Sequence, residues 1–354
     1  ARGAAAAAAP APLAPPEPLE PLASPFPLER FEAAGLPAAG RFLWWERTRS
    51  QGRRRPGSLH SGLHPLDLDA GWLELAEPEA YAAELAGRRE VLASNQRGLA
   101  LVDDGASRGA QAELLELVLE HLAARHPARF ALAGQGPGRS FESLLEGLRW
   151  RLADYEESPL LLLGQLLQED VCLMHERPAG VDGAAPRHVF VAGVVMESFD
   201  PLEKHLMPML ELHGPVPQYA EDLHESMGRV FATLRKPVWR ANFGLAEWRE
   251  EGQGEPSCSE ELIERLYLKV EYETLRRLPR HPEYLVFTIR AHSDPLAALA
   301  GAPLACAALA ADIRRLPQAL LAYRGLGEPE RQRAVLGFLD AACERSGLAA
   351  ASVP

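Results

Sequence analysis

The chain has 354 residues, of which 47% are hydrophobic and 24% are charged, a composition typical of one large globular domain or two small ones. With 37 basic and 49 acidic residues the net charge is −12, which disfavours general electrostatic attraction to nucleic acid or to an anionic membrane. No run of about 18 apolar residues occurs, so a transmembrane helix is not predicted. We therefore expect no nucleic-acid partner and no membrane partner.

The first 25 residues, ARGAAAAAAPAPLAPPEPLEPLASP, are rich in alanine and proline. Such a segment cannot bury a hydrophobic core, so residues 1–25 are predicted to be disordered and residues 26–348 to form the domain. The segment lacks the basic region and leucine-rich core of a secretory signal, so secretion is not expected. A cytoplasmic or an organellar location remains open, and the segment is either a targeting remnant or the end of a fragment.

The four cysteines, Cys172, Cys258, Cys306 and Cys343, are far apart and form no C-x-x-C pair. Neither a zinc site nor the ligand set of an iron–sulfur cluster is therefore predicted. The stretch GQGPGRS at 134–140 lacks the lysine of a phosphate-binding loop and the spacing of G-x-G-x-x-G. A turn is predicted there.

The first half of the chain is predicted to be mainly helical from hydrophobic periodicity and proline positions. Ser143 and Glu146 have the spacing of a capping box, which favours a helix around them. In chain order the predicted elements are a helix starting near Pro78, a strand at 98–104, helices at 110–127 and 140–155, and an apolar segment at 158–176.

The second half contains runs of β-branched and aromatic residues that predict strands. Because regular helices do not alternate with these strands, we predict an α+β fold with a mainly antiparallel sheet, flanking helices and a helical C-terminal region. Gly193 lies inside the first of these strands, where a glycine often marks a bulge or the close approach of a ligand. The predicted elements are a strand at 187–198, a helix–proline–helix segment at 200–234, a strand at 238–245, a strand or strand plus helix at 261–278, a strand at 284–292 and helices at 295–345.

His213 is the first candidate for a chemical role. The sequence ELHGPVPQY places it at the end of an apolar helix and directly before a Pro-Val-Pro segment, which restricts the backbone. A histidine held in this way is suited to be an axial metal ligand, although a structural, hydrogen-bonded histidine is the alternative. His188, at the start of the strand RHVFVAG, is the rival candidate.

Two acidic residues, Glu169 and Asp170, follow the apolar run LLLLGQLL, so they lie where a core element reaches the surface. A partly buried carboxylate favours a cationic partner. Arg240, Arg290 and a substrate ammonium are the candidate partners, and a pair of carboxylates facing water is the alternative.

Arg290 ends the apolar strand YLVFTI at 284–289. A buried guanidinium needs an anion, because an unpaired buried charge is costly. Side chains alternate along a strand, so Arg290 points to the same side as Thr288 and away from Phe287 and Ile289. A structural carboxylate such as Glu271 on a neighbouring strand is one candidate for the anion.

Several of these segments together resemble one protein family. The chain is similar to the haem-dependent oxidative N-demethylase alpha-subunit family over roughly residues 26–325, with the motifs in the family's order. The motifs that carry the resemblance are SGLHPLDLDAGWLEL, AELAGRREVL, LLQEDVCLM, HVFVAGVVMES, ELHGPVPQY, PVWRANFGL and LKVEYETLRRLPRHPEYLVFTIRAHSDPL.

The resemblance implies a PAS-like domain that binds haem b through a histidine. It also implies that the protein takes electrons from separate flavin and iron–sulfur reductase components, activates O₂, and converts a small methylated amine such as dimethylamine into the demethylated amine and formaldehyde. The residues that it assigns are His213 as proximal iron ligand; His188, Arg240, Asn242 and Tyr219 in cofactor binding; and Asp170, Glu169 and Arg290 as catalytic residues, with Asp170 holding the substrate ammonium.

The resemblance adds two candidates for the anion that Arg290 binds, a haem propionate and an oxygen species at the iron. Arg240 is then expected to bind whichever of these anions Arg290 does not. The chain departs from the family pattern at Tyr272 and Glu273, which follow Glu271, at His292, and in the segment MESFDPLEK after VAGVV. These departures favour a second hypothesis, a PAS-like binding or sensing module that acts through partners without turnover.

Overall fold

The computed structural model describes residues 62–94, 101–103, 105–177, 187–196, 199–217, 219–220, 224–247 and 254–347, together with the short strand Glu17–Pro18. Apart from those two residues, the N-terminal segment predicted to be disordered lies outside the described residues. The described residues contain two antiparallel sheets and helices on both sides of the larger one. The predicted α+β class is therefore confirmed.

The larger sheet has seven strands, and each strand pairs antiparallel with its neighbours in the order β2-β9-β10-β11-β7-β8-β3. The smaller sheet has the order β1-β6-β5-β4. In chain order the strands are β1 Glu17–Pro18, β2 His64–Pro65, β3 Leu101–Asp103, β4 Phe130–Ala133, β5 Ser140–Ser143, β6 Leu148–Arg151, β7 Asp170–Arg177, β8 Arg187–Val194, β9 Val238–Glu247, β10 Leu266–Arg277 and β11 Tyr284–Pro295.

The helices of the described residues fall into three groups, one before β7, one between β8 and β9, and one around and after the long hairpin β10–β11. The last group confirms the predicted helical C-terminal region, and the segment predicted as strand plus helix divides into α8 and β10. The helices are α1 Leu68–Gly71, α2 Pro78–Ser94, α3 Arg108–Arg125, α4 Pro159–Leu166, α5 Pro201–Lys204, α6 Met209–Leu212, α7 His224–Thr233, α8 Ser259–Arg265, α9 Pro303–Arg315, α10 Gln318–Leu321 and α11 Pro329–Arg345.

Strand register decides which side chains share a face of the larger sheet. Tyr272 lies opposite Arg290, and Glu273 lies opposite Arg240, so these two pairs project to opposite sides. We call the side with Tyr272 and Arg290 the inner face, and the side with Arg240 and Glu273 the outer face. The inner face packs against α2, α4 and the C-terminal helices in the main hydrophobic core, and the outer face packs against α6 and α7 in a smaller one.

One predicted helix is wrong. Residues 140–155 form the hairpin β5–β6 and a following single turn, with Phe141 opposite Trp150 and both side chains fully buried. Ser143 Oγ does donate to Glu146 Oε2, at 2.8 Å, but this contact lies in the hairpin turn, where Gly147 adopts a φ of +65°. The capping-box spacing also suits a tight turn, and burial of the aromatic pair in the core decides in favour of strands.

Gly193 is required by close packing within the chain. A Cβ atom at this position would lie 2.7 Å from the Val171 carbonyl oxygen and 2.8 Å from Cε2 of Phe190. The register between β7 and β8 shifts nearby, between Leu173 and Met174. Gly193 itself pairs in regular register with Cys172, so it does not mark the bulge. The close approach at Gly193 comes from the chain's own β7 and Phe190.

Replacing Gly193 with alanine should lower the free energy of unfolding by about 1 to 3 kcal/mol, because the added methyl group overpacks the sheet. Urea unfolding measures the effect. The matched control is Gly337→Ala in α11, where no atom lies within 4 Å of the added Cβ. That change should raise stability by roughly 0.5 to 1 kcal/mol through helix propensity. Equal effects at the two positions would contradict the packing argument.

Candidate functional site

His213 directly follows α6, and its ring is fixed by the backbone of that helix. Its Nδ1 atom lies 2.9 Å from the carbonyl oxygen of Met209. A carbonyl oxygen can only accept, so Nδ1 carries the proton and donates it. The lone pair of this neutral imidazole is then on Nε2, the arrangement that histidine ligands of metals commonly adopt.

The segment after His213 turns back on the histidine. Val216 N donates to the His213 carbonyl at 2.9 Å, and Tyr219 N donates to the Val216 carbonyl at 3.2 Å. These turns bring the Tyr219 ring parallel to the His213 ring, with centroids 4.4 Å apart and planes inclined by 12°. The Pro-Val-Pro segment thus places an aromatic ring against the candidate ligand, which restricts its rotation.

His224, at the start of α7, completes this group of rings, with its centroid 6.0 Å from that of Tyr219. Tyr219 is 4% exposed. Its Oη atom and Nδ1 of His224 are both buried and without a hydrogen-bond partner within the described part of the chain. Sequence reasoning missed His224. It lies 11 residues after His213, and this spacing alone does not indicate that the two rings come close together.

The outer face of the sheet presents a charged cluster near these rings. Arg240 Nε donates to the Glu273 carboxylate, and Asn242 Nδ2 donates to Glu273 Oε1 at 2.7 Å. Burial raises the pKa of Glu273, and the neighbouring Arg240 opposes that shift. The anion of Arg240 in this structure is therefore Glu273, a residue that sequence reasoning had not singled out for a role.

Electrostatics connects the ring group to the outer face. Burial lowers the pKa of His213; the hydrogen bond to Met209 opposes this, and the charges of Arg240, Lys204 and His224 lower the pKa further. Burial raises the pKa of Tyr219, and Arg240 lowers it. His213 is therefore neutral at pH 7, the state in which an imidazole can bind a metal ion.

Arg290 lies in a second polar cluster, on the inner face. Its Nη1 and Nη2 atoms donate to the two carboxylate oxygens of Glu84 in α2, at 2.7 and 2.9 Å. The expectation that Glu271 is its partner is wrong, because Glu271 lies opposite Ala291 in the register and projects to the outer face. A structural carboxylate is nevertheless the anion, and it comes from a helix more than 200 residues earlier.

Glu169 and Asp170 are both 2% exposed and lie where α4 passes into β7. Glu169 Oε1 accepts from the backbone N of Glu74 at 2.7 Å. Asp170 Oδ1 accepts from the backbone N of Met196 at 2.8 Å and from Arg88 at 3.4 Å. The carboxylates thus have partners from the chain itself, and a role of Asp170 in holding a substrate ammonium stays a prediction.

Two departures from the family pattern lie on the inner face, away from His213. Tyr272 Oη donates to the Gly71 carbonyl at 2.8 Å, and His292 Nε2 lies 2.6 Å from Glu74 Oε2. A cavity of about 200 Å³ adjoins this cluster, lined in part by Glu84, Arg290 and His292. A further departure, Glu273, lies on the outer face.

His188, the rival candidate ligand, is buried at the start of β8. Its ring meets that of Phe231 edge to face at 5.1 Å, and its Nε2 lies 3.7 Å from Glu176 Oε2. Burial lowers its pKa, and the Glu176 carboxylate opposes the shift. At 3.7 Å the Glu176 carboxylate is too far away to fix the His188 tautomer as the Met209 carbonyl does for His213.

Comparison with protein families relates this chain to a known family. The model of a family described as haem-dependent oxidative N-demethylase, alpha subunit-like, matches residues 62–333, more than half of the chain. The matched range includes His213, Tyr219, His224 and the outer-face cluster. In the described ranges, no three His, Cys, Asp or Glu side chains are arranged to hold a metal ion by themselves, and no helix is both long and apolar enough to cross a bilayer.

Proposed function

We infer the function from family membership, because the chain belongs to the haem-dependent oxidative N-demethylase, alpha subunit-like family. The protein binds haem b through His213 and removes a methyl group from a small methylated amine, such as dimethylamine. The reaction consumes O₂, two electrons and two protons, and it yields the demethylated amine, formaldehyde and water. No flavin motif or iron–sulfur ligand set occurs in the sequence, so the electrons come from separate reductase subunits.

The observation that supports this proposal most is the hydrogen bond from His213 Nδ1 to the Met209 carbonyl. It leaves Nε2 as the nitrogen that can bind iron, and the lowered pKa keeps the ring neutral. The Oη of Tyr219 is buried beside this ring and has no hydrogen-bond partner among the described residues, which also fits a site that takes a ligand with polar groups. The residues present therefore fit a haem.

Bound haem would supply the iron at which O₂ is reduced for oxidation of the amine's methyl group. The chain's own residues bind and orient the substrate. At neutral pH a small dialkylamine is a cation, and a carboxylate is the group that holds an ammonium at low cost.

Glu271 is the best-placed carboxylate for the substrate ammonium. It lies on the outer face with Arg240 and Glu273, and its side chain is 24% exposed. Its ion-pair partner Lys269, at 3.0 Å, is itself 33% exposed, so an ammonium can compete for the carboxylate. Glu273 is already bound by Arg240 and Asn242. Asp170 is bound by Arg88 and Met196 N.

The test of the proposed function uses the full chain reconstituted with haem b. We expect a Soret band in the absorption spectrum and, on addition of dimethylamine, O₂ and a reductant, formaldehyde in proportion to the amine consumed. Absence of haem binding would overturn the proposal. A stable haem complex that releases no formaldehyde would support the alternative of a binding or sensing module.

Glu271→Gln should weaken amine binding about 10- to 100-fold, because a charge-assisted hydrogen bond contributes roughly 1.5 to 3 kcal/mol. The measurement is the amine-induced shift of the haem absorption spectrum during titration. Asp170→Asn is the matched comparison. If Asp170→Asn weakens binding and Glu271→Gln does not, the ammonium is held by Asp170, as the resemblance implies, and the assignment to Glu271 is wrong.

A further inference from the structure

We propose that Tyr219 and His224 form an anchor for carboxylate groups of the bound haem, its propionates. This inference rests on the proposed haem site at His213. It assigns a binding role to His224, and it gives Tyr219 a defined partner.

The first support is the state of the two polar atoms. Tyr219 is 4% exposed, yet its Oη has no hydrogen-bond partner among the residues that the structure describes, and the same holds for the buried Nδ1 of His224. Native proteins pair nearly all such atoms, because burying an unpaired polar group costs about 1 to 3 kcal/mol. Two such atoms on neighbouring rings point to one ligand that satisfies both.

The second support is the position of these rings. The centroids of Tyr219 and His213 lie 4.4 Å apart, and those of Tyr219 and His224 lie 6.0 Å apart. Tyr219 is therefore a neighbour of both the candidate iron ligand and His224. A haem held by His213 would carry two carboxylates at the edge of its macrocycle, and polar side chains that neighbour the ligand are candidates to bind them.

The third support is the chemistry of the two atoms. Tyr219 Oη can donate a hydrogen bond, and Nδ1 of His224 can donate one when it carries the proton. Two donors favour a ligand group with two acceptor oxygens, which a carboxylate offers and an ammonium does not.

Among the described residues, no carboxylate of the chain is hydrogen-bonded to Tyr219 Oη or to His224 Nδ1. The outer-face carboxylate Glu273 is bound by Arg240 and Asn242 instead. The partner of Tyr219 and His224 is therefore expected to arrive with the ligand.

The experiment combines each protein variant with each of two haems, in the manner of a double-mutant cycle. The measured quantity is the rate at which the protein loses its haem to an excess of apo-globin. The variants are Tyr219→Phe and His224→Gln. Haem b is compared with its dimethyl ester, in which the propionates are no longer anionic. Each variant should lose haem b about 10-fold faster than the wild type, and the dimethyl ester at an unchanged rate.

Tyr323→Phe is the matched control, because Tyr323 is 54% exposed; it should leave both rates unchanged. Equal acceleration for haem b and the ester would mean a purely structural role and would overturn the anchor. Unchanged rates for haem b would overturn it as well.

A change in axial ligation in His224→Gln would make His224 an iron ligand instead. If the wild type itself binds no haem, the proposed function fails, an outcome distinct from all of these.

Discussion

Replacing His213 with alanine should abolish the Soret band of the histidine-ligated haem, the largest functional effect that we expect from a single substitution. The iron loses its only protein ligand in the proposed site. Loss of a group that merely supports a metal ligand already costs roughly 10- to 100-fold in affinity, so loss of the ligand itself should cost more. Titration of the purified variant with haem, followed by absorption, measures the affinity.

Added imidazole gives this experiment a readout that a structural role would not change. It can enter the space left by the His213 ring and restore the histidine-type spectrum. His188→Ala is the matched control and should retain haem, because His188 lies against Phe231 and Glu176. A spectrum that survives loss of His213 and disappears with loss of His188 would transfer the ligand role to His188.

Arg290→Leu should lower the free energy of unfolding by about 2 to 4 kcal/mol while haem binding and formaldehyde release persist. Arg290 is 7% exposed and binds both carboxylate oxygens of Glu84. Breaking a buried ion pair leaves one charge uncompensated, which costs several kcal/mol. The expected loss is at the lower end because the Glu84 side chain is 28% exposed and can be hydrated. Urea unfolding measures it.

Two further variants separate the causes of this loss. Arg333→Leu removes an exposed arginine whose distance to Glu330 is 3.9 Å, and it should change stability by less than about 0.5 kcal/mol. The double variant Glu84→Leu with Arg290→Leu should recover part of the loss, since no uncompensated charge remains. Reduced haem affinity in Arg290→Leu would instead support a propionate partner, and reduced turnover with full haem loading would support an oxygen species as the partner.

Local sequence patterns were sufficient for the strands of the second half and for the fold class. Runs such as YLVFTI and VWRANF carry their strand signal in consecutive residues, because side-chain alternation and β-propensity are local properties. The motif around His213 was also readable, since proline restricts the backbone wherever it occurs. The ligand candidate and the direction of Arg290 were therefore available from the sequence.

The hairpin at 140–151 shows where local pattern was insufficient. Ser143 and Glu146 suit a helix start and a tight turn equally well. Burial of the opposed pair Phe141 and Trp150 selects the hairpin. That burial depends on α3 and α4, which belong to the same core, so no window of local sequence contains it.

Partners across the fold required the tertiary structure. Alternation predicts that Arg290 and Glu271 each project to one side of their strands, but only the register between β10 and β11 shows that these sides are opposite. In the same way, the pairing of Glu273 with Arg240 depends on the register between β9 and β10. Periodicity along a strand is set by neighbouring residues, whereas register and the elements that cover each face are set by burial of the whole core. For that reason the sequence by itself offered His213 as a candidate ligand, and only the tertiary structure placed the Tyr219 ring, His224 and Arg240 near it.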